Sequence, residues 1–100
     1  NEDLALTIAK SLKTNSTLET VEFRERTPRI LEQVGVSLQV NSCIVFLDLA
    51  SSIFDDKALG SMATAIKRNK TLRRLVLFRC DFKGTMIQPF CDALSENTTL

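Results

Sequence analysis

Asp55 and Asp56 are an adjacent carboxylate pair, and paired carboxylates can divide general acid and general base work between them. Both stand just before a helical stretch, however, where acids cap the first turn and meet the positive end of the helix dipole. Cys80 has the type of a nucleophile, but no base lies near it and its place in the pattern described below is interior, so it reads as a buried structural thiol. Cys91, beside Phe90 on a helical stripe, reads as core in the same way. The chain has no His, Trp or Tyr, and Gly35, Gly60 and Gly84 are isolated, so no glycine-rich phosphate loop exists. No cluster has metal-ligand spacing. The chain is therefore expected not to be an enzyme and to use no cofactor or metal. Three cysteines, Cys43, Cys80 and Cys91, without a C-x-x-C pair point to reduced thiols in a cytoplasmic protein.

The elements that carry these residues recur. In TLRRLVLFRCDF the apolar positions are Leu72, Leu75 and Leu77, followed by Cys80 and Phe82. CIVFLDLASSIF repeats them as Ile44, Leu47, Leu49, Ser52 and Phe54, each displaced by 28 residues, and Leu18, Val21 and Phe23 lie a further 26 upstream. A fixed period in the twenties marks stacked strand-and-helix units. Helices are expected over 3–13, with Leu4, Ala5, Ile8, Ala9 and Leu12 on the buried stripe, and from Pro28, with Ile30, Leu31, Val34 and Leu38. Thr27 is the expected cap of that second helix. A third runs from Asp56, its expected N-cap, to Arg68, and a fourth opens on a Thr85-Met86-Ile87-Gln88 capping box with a stripe of Ile87, Phe90, Cys91 and Leu94.

Asn15, Asn41, Asn69 and Asn97 share one slot, two or three residues before each strand, where Asn accepts a left-handed turn and bonds its own backbone. That role accounts for the glycosylation-type triplets Asn15-Ser16-Thr17 and Asn97-Thr98-Thr99 without a glycan. The first unit is two residues short between strand and helix, and Arg26 stands where Ser52 and Cys80 stand elsewhere. Either Arg26 turns to solvent or that turn is rebuilt.

The spacing L-x-x-L-x-L-x-x-C from Leu72 to Cys80, its counterpart from Ile44 to Ser52, and the tails AIKRNKTL and ALSENTTL resemble leucine-rich repeats of the ribonuclease-inhibitor subfamily. The resemblance implies an α/β leucine-rich-repeat solenoid, a horseshoe arc with parallel strands on the concave face and helices on the convex face. It also implies that residues 1–100 form a partial domain of about three and a half repeats, a fragment of a longer chain covered at both ends by further repeats or other subunits. The same repeats resemble those of ribonuclease inhibitor, Ran GTPase-activating protein, tropomodulin-like actin proteins and NOD-like receptor sensor regions.

Strand residues alternating with the inward ones face outward: Thr20, Glu22, Arg24 and Glu25; Phe46, Asp48, Ala50 and Ser51; Arg74, Val76, Phe78 and Arg79. Phe46, Val76 and Phe78 are large apolar side chains there, rimmed by Glu22, Asp48, Arg74 and Arg79, which is the composition of a protein-binding surface. Lys67, Arg68, Lys70, Arg73, Arg74, Arg79 and Lys83 add a basic cluster, divided among a helix end, a turn and a strand. The net charge of +1 argues against nucleic acid, and no apolar run is long enough to cross a membrane. The expected function is a protein–protein interaction module binding through the concave strand face. Alternatives are a scaffold segment of a cytoskeletal or other multiprotein assembly, a regulator of a small GTPase, or a receptor sensor region.

Overall fold

The structure, a computed structural model, describes residues 2–24 and 26–100. Its elements are α1 (Glu2–Ser11), β1 (Thr20–Glu22), α2 (Pro28–Leu38), β2 (Phe46–Asp48), β3 (Ile53–Phe54), α3 (Asp56–Arg68), β4 (Arg74–Val76), β5 (Asp81–Phe82) and α4 (Ile87–Glu96). Strands β1, β2 and β4 form one parallel sheet, in which Val21, Leu47 and Leu75 are in register. Strands β3 and β5 form a second parallel sheet of two. Each helix packs on the next along the chain, α1 on α2, α2 on α3 and α3 on α4.

The expected horseshoe arc does not form. The described residues make an α/β body of 32 × 31 × 19 Å, with four helices and two small parallel sheets. Three strands about 4.8 Å apart span only about 10 Å, so no inner and outer circumference develops. What remains of the expectation is an open strand face opposite the helices, without the concave and convex surfaces of a solenoid.

The core lies between strands and helices, where Leu47, Leu49, Ile44, Phe54, Leu59 and Met62 are fully buried. Phe54 stacks on Phe82 with centroids 5.4 Å apart, and both rings meet Phe90. Helices α2 and α3 approach closely because Gly35 has no side chain: a Cβ there would come within 2.8 Å of the Ser61 carbonyl carbon and 2.9 Å of the Met62 nitrogen. Hydroxyls tie the helices together, Ser37 Oγ donating to Ala9 O and Ser61 Oγ to Glu32 O, each at 2.6 Å.

The Asn slot does more than turn the chain. Asn69 Oδ1 accepts from the backbone N–H of Thr71 and Leu72 at 2.9 and 2.7 Å, and its Nδ2 donates to Leu38 O and Asn41 O at 3.0 Å each. Asn41 does the same, with Nδ2 on Leu12 O and Asn15 O, and Asn97 Nδ2 donates to Ile66 O. The left-handed conformation expected for the slot is absent at Asn69 (φ −71°) and Asn97 (φ −73°), which are extended. Extended backbone lets one side chain reach its own turn and the preceding layer together.

Several local expectations are corrected. Asp55 rather than Asp56 caps α3, accepting from Ala58 N at 2.9 Å. Asp56 Oδ1 instead reaches the next layer and accepts from Thr85 N and Met86 N at 2.7 and 3.0 Å, which displaces the expected capping box. Thr27 precedes α2 in extended conformation but makes no side-chain cap. Of the two outcomes expected for Arg26, turning to solvent is not met: its side chain is 20% exposed and lies 4.0 Å from Glu22. On the outermost helices the apolar stripes are only half covered: Leu4, Ile8, Ile87, Leu94 and Cys91 are exposed, so Cys91 is not core. Cys80 is half-buried, and its Sγ donates to Leu49 O, the carbonyl that Ser52 Oγ also uses.

Candidate functional site

The parallel register builds the open face in rows. Thr20, Phe46 and Arg74 form one row, and Glu22, Asp48 and Val76 the next, while Val21, Leu47 and Leu75 between them point inward. Alternation along each three-residue strand therefore delivers the anticipated residues to one surface. Phe78 and Arg79 follow β4 in a turn where Arg79 takes φ 59°, as Ser51 takes φ 62° at the equivalent point after β2. The backbone N–H of Ser51 donates to Phe78 O at 2.7 Å, which fixes the two turns against each other. Phe78 is left 66% exposed.

The face is less apolar than its composition suggests. The Arg74 guanidinium lies over the Phe46 ring, 5.3 Å from its centroid, and the Arg79 guanidinium lies over Phe78 at 5.2 Å. Phe46 and Val76 are half-buried. The acids are engaged locally: Glu22 has Arg24 and Arg26 at 4.0 Å, and Asp48 Oδ1 accepts from Ala50 N at 2.9 Å. Asp48 is thus a turn-former as much as a rim residue. Glu25, also anticipated on this face, lies outside the described residues.

Of the basic cluster, Lys83 pairs with Asp81 at 3.8 Å, and Arg73 Nη1 donates to Thr99 O at 3.4 Å. Among the described residues the other members, Lys67, Arg68, Lys70, Arg74 and Arg79, make no ion pair, and neither does Arg73. A second surface was not anticipated: a groove of about 250 Å³ between α1 and β1, lined by Leu4, Ala5, Ile8, Val21, Phe23 and the flanking Glu22 and Arg24. Its signal was present in Leu4 and Ile8, which periodicity assigned to a buried stripe. Among the described residues no group of three or more His, Cys, Asp or Glu is placed to hold a metal ion, and no helix is long and apolar enough to cross a membrane. Asp55 and Asp56 do not converge on a shared site, since each carboxylate serves a different helix.

Neither a family model nor a curated protein sequence matches the chain. Among solved structures the fold matches that described as "Leiomodin-1 Actin-Binding Site 2 (ABS2)", with a TM-score of 0.82, 21% identity and coverage of the whole of this chain. The chain spans 60% of the length of that structure. The attribution to ribonuclease-inhibitor-like leucine-rich repeats is corrected on this finding: the chain matches, over its full length, the fold of the leiomodin-1 site. The readings that rested on that attribution, GTPase regulation and a receptor sensor region, go with it.

Proposed function

We propose that this chain is a cytoplasmic, cytoskeletal protein-binding module that takes actin on its open strand face, without turning over a substrate. The observation that carries the reading is the full-length fold match to a structure described as an actin-binding site. The face itself supports it. Phe78 is an exposed aromatic residue beside Val76, with arginines adjoining, and aromatic and Arg side chains are what dominate protein-binding hot spots.

Co-sedimentation with filamentous actin and fluorescence titration of monomeric actin test the reading. The chain should bind one of the two forms, and Phe78→Asp should weaken that binding at least about tenfold, the effect of losing one hot-spot contact. Circular dichroism of the variant should match the parent, because Phe78 lies outside the core. Absence of binding to either form would refute the actin reading. Unaltered binding by both Phe78→Asp and the double variant Phe46→Asp, Phe78→Asp would remove the face as the site.

A further inference from the structure

The open face has arginines without anions. Arg74 and Arg79 are each laid on a ring, and no acid of the described chain meets either guanidinium. A guanidinium held over a ring by cation–π attraction keeps N–H groups that can bind a carboxylate in bidentate fashion. The acids of the same face are committed elsewhere, Glu22 to Arg24 and Arg26 and Asp48 to the Ala50 N–H. Val76 and the exposed Phe78 lie along the chain between the two arginines. Unpaired Lys67, Arg68 and Lys70 lie just upstream, at the end of α3 and in the following turn, and add to the positive field.

We infer that the open face recognises an acidic segment of its partner, in which carboxylates flank an apolar side chain. Arg74 and Arg79 receive the carboxylates, and Val76 with Phe78 receives the apolar group. The inference rests on the protein-binding reading above and adds the chemistry of the bound segment. A nucleic acid backbone fits less well. Asp48 and Glu22 stand in the same row as Val76, so an unbroken line of phosphates crossing the strands would meet two carboxylates. A peptide can place its apolar residue there and keep its acids at the ends.

Fluorescence anisotropy with three probes tests this: a labelled peptide with glutamates on both sides of a Leu-Phe pair, the same peptide with glutamines, and labelled oligothymidylate. The glutamate peptide should bind, weaken as salt rises, and exceed the other two by at least tenfold. The double variant Arg74→Gln, Arg79→Asn should lose at least tenfold in affinity. Asn is chosen because it accepts the left-handed backbone that Arg79 occupies, so the turn survives. Stronger binding of oligothymidylate overturns the inference in favour of a nucleic acid, and equal binding of the two peptides, or an unaffected double variant, overturns it outright. Capture of actin by a chain that ignores the glutamate peptide sinks this inference while the actin reading stands. Binding of the peptide by a chain that ignores actin sinks the actin reading and supports this one.

Discussion

Replacing Asn69 by Ala removes a polar side chain that, with Asn41, is among the most heavily used in the core. Asn69 is 5% exposed, and its amide accepts from Thr71 N and Leu72 N while donating to Leu38 O and Asn41 O. Truncation orphans two donors and deprives two carbonyls of a partner, in a place where a methyl group reproduces none of it. A buried group left unsatisfied costs about 1–3 kcal/mol. Leu72 is buried and Thr71 half-buried, so water relieves only part of the loss. The sum is about 3–4 kcal/mol, against a total of about 5–15 kcal/mol for a chain of this length. At about 4 °C or more per kcal/mol, the unfolding midpoint should fall by at least about 12 °C. Thermal unfolding followed by circular dichroism measures it, with Asn97→Ala as the control. Asn97 occupies the same slot and also accepts from two backbone N–H groups, Thr99 and Leu100, at 2.8 Å, but it is half-buried, Leu100 is exposed to water, and its amide donates to a single carbonyl, Ile66 O, so its loss should cost less, about 1–2 kcal/mol. Equal losses in the two variants would refute the claim that burial between layers gives Asn69 its weight.

Gly35→Ala should destabilise by about 1–3 kcal/mol, since the new methyl group meets the α3 backbone at Ser61 and Met62; a thermal midpoint at or above the parent value would contradict the close helix approach. Asp55→Ala and Asp56→Ala should each cost about 1 kcal/mol through loss of a cap, and because the two carboxylates serve α3 and the start of α4 respectively, the double variant should be close to additive. A coupling energy well above about 0.5 kcal/mol would mean that the pair acts as a unit after all.

Most element positions were legible because each rests on local spacing. The limits of α3, Asp56–Arg68, follow from its stripe of Ala58, Leu59, Met62, Ala63 and Ile66, and those residues are buried. Periodicity tells which side of a helix is apolar but not whether anything covers it. Among the described residues, the main helix neighbour of α1 is α2 and that of α4 is α3, so each is covered by a helix on one side, which is why Leu4, Ile8, Cys91 and Leu94 remain exposed despite a regular pattern. Strands β3 and β5 have two residues each, too few to show a period. The recurrent Asn was visible as a turn-former, whereas its donation to carbonyls 26–31 residues earlier depends on how layers stack. The same holds for the open face. Alternation placed Phe46, Val76 and Phe78 on it, but the cover that Arg74 gives Phe46 exists only through the register of β2 with β4.

That register also separates what holds the chain together from what it displays. Within β2, Leu47 is fully buried while Phe46 and Asp48 on either side are half-exposed, and Leu75 of β4, half-buried, stands in register with Leu47. The interlayer contacts run through Leu47, the Asn side chains and the Ser hydroxyls of the helices, none of which reaches the open face. On the proposed reading, a change at Phe78 or Arg79 should alter recognition at little cost in stability, and a change at Asn69 or Gly35 should alter stability without touching the open face. Residues mounted on strands and on turns pinned by hydrogen bonds are also pre-positioned, so little of their conformational entropy would oppose association at this face. For a partner segment that orders only on docking, that rigidity leaves the partner to bear most of the entropic cost.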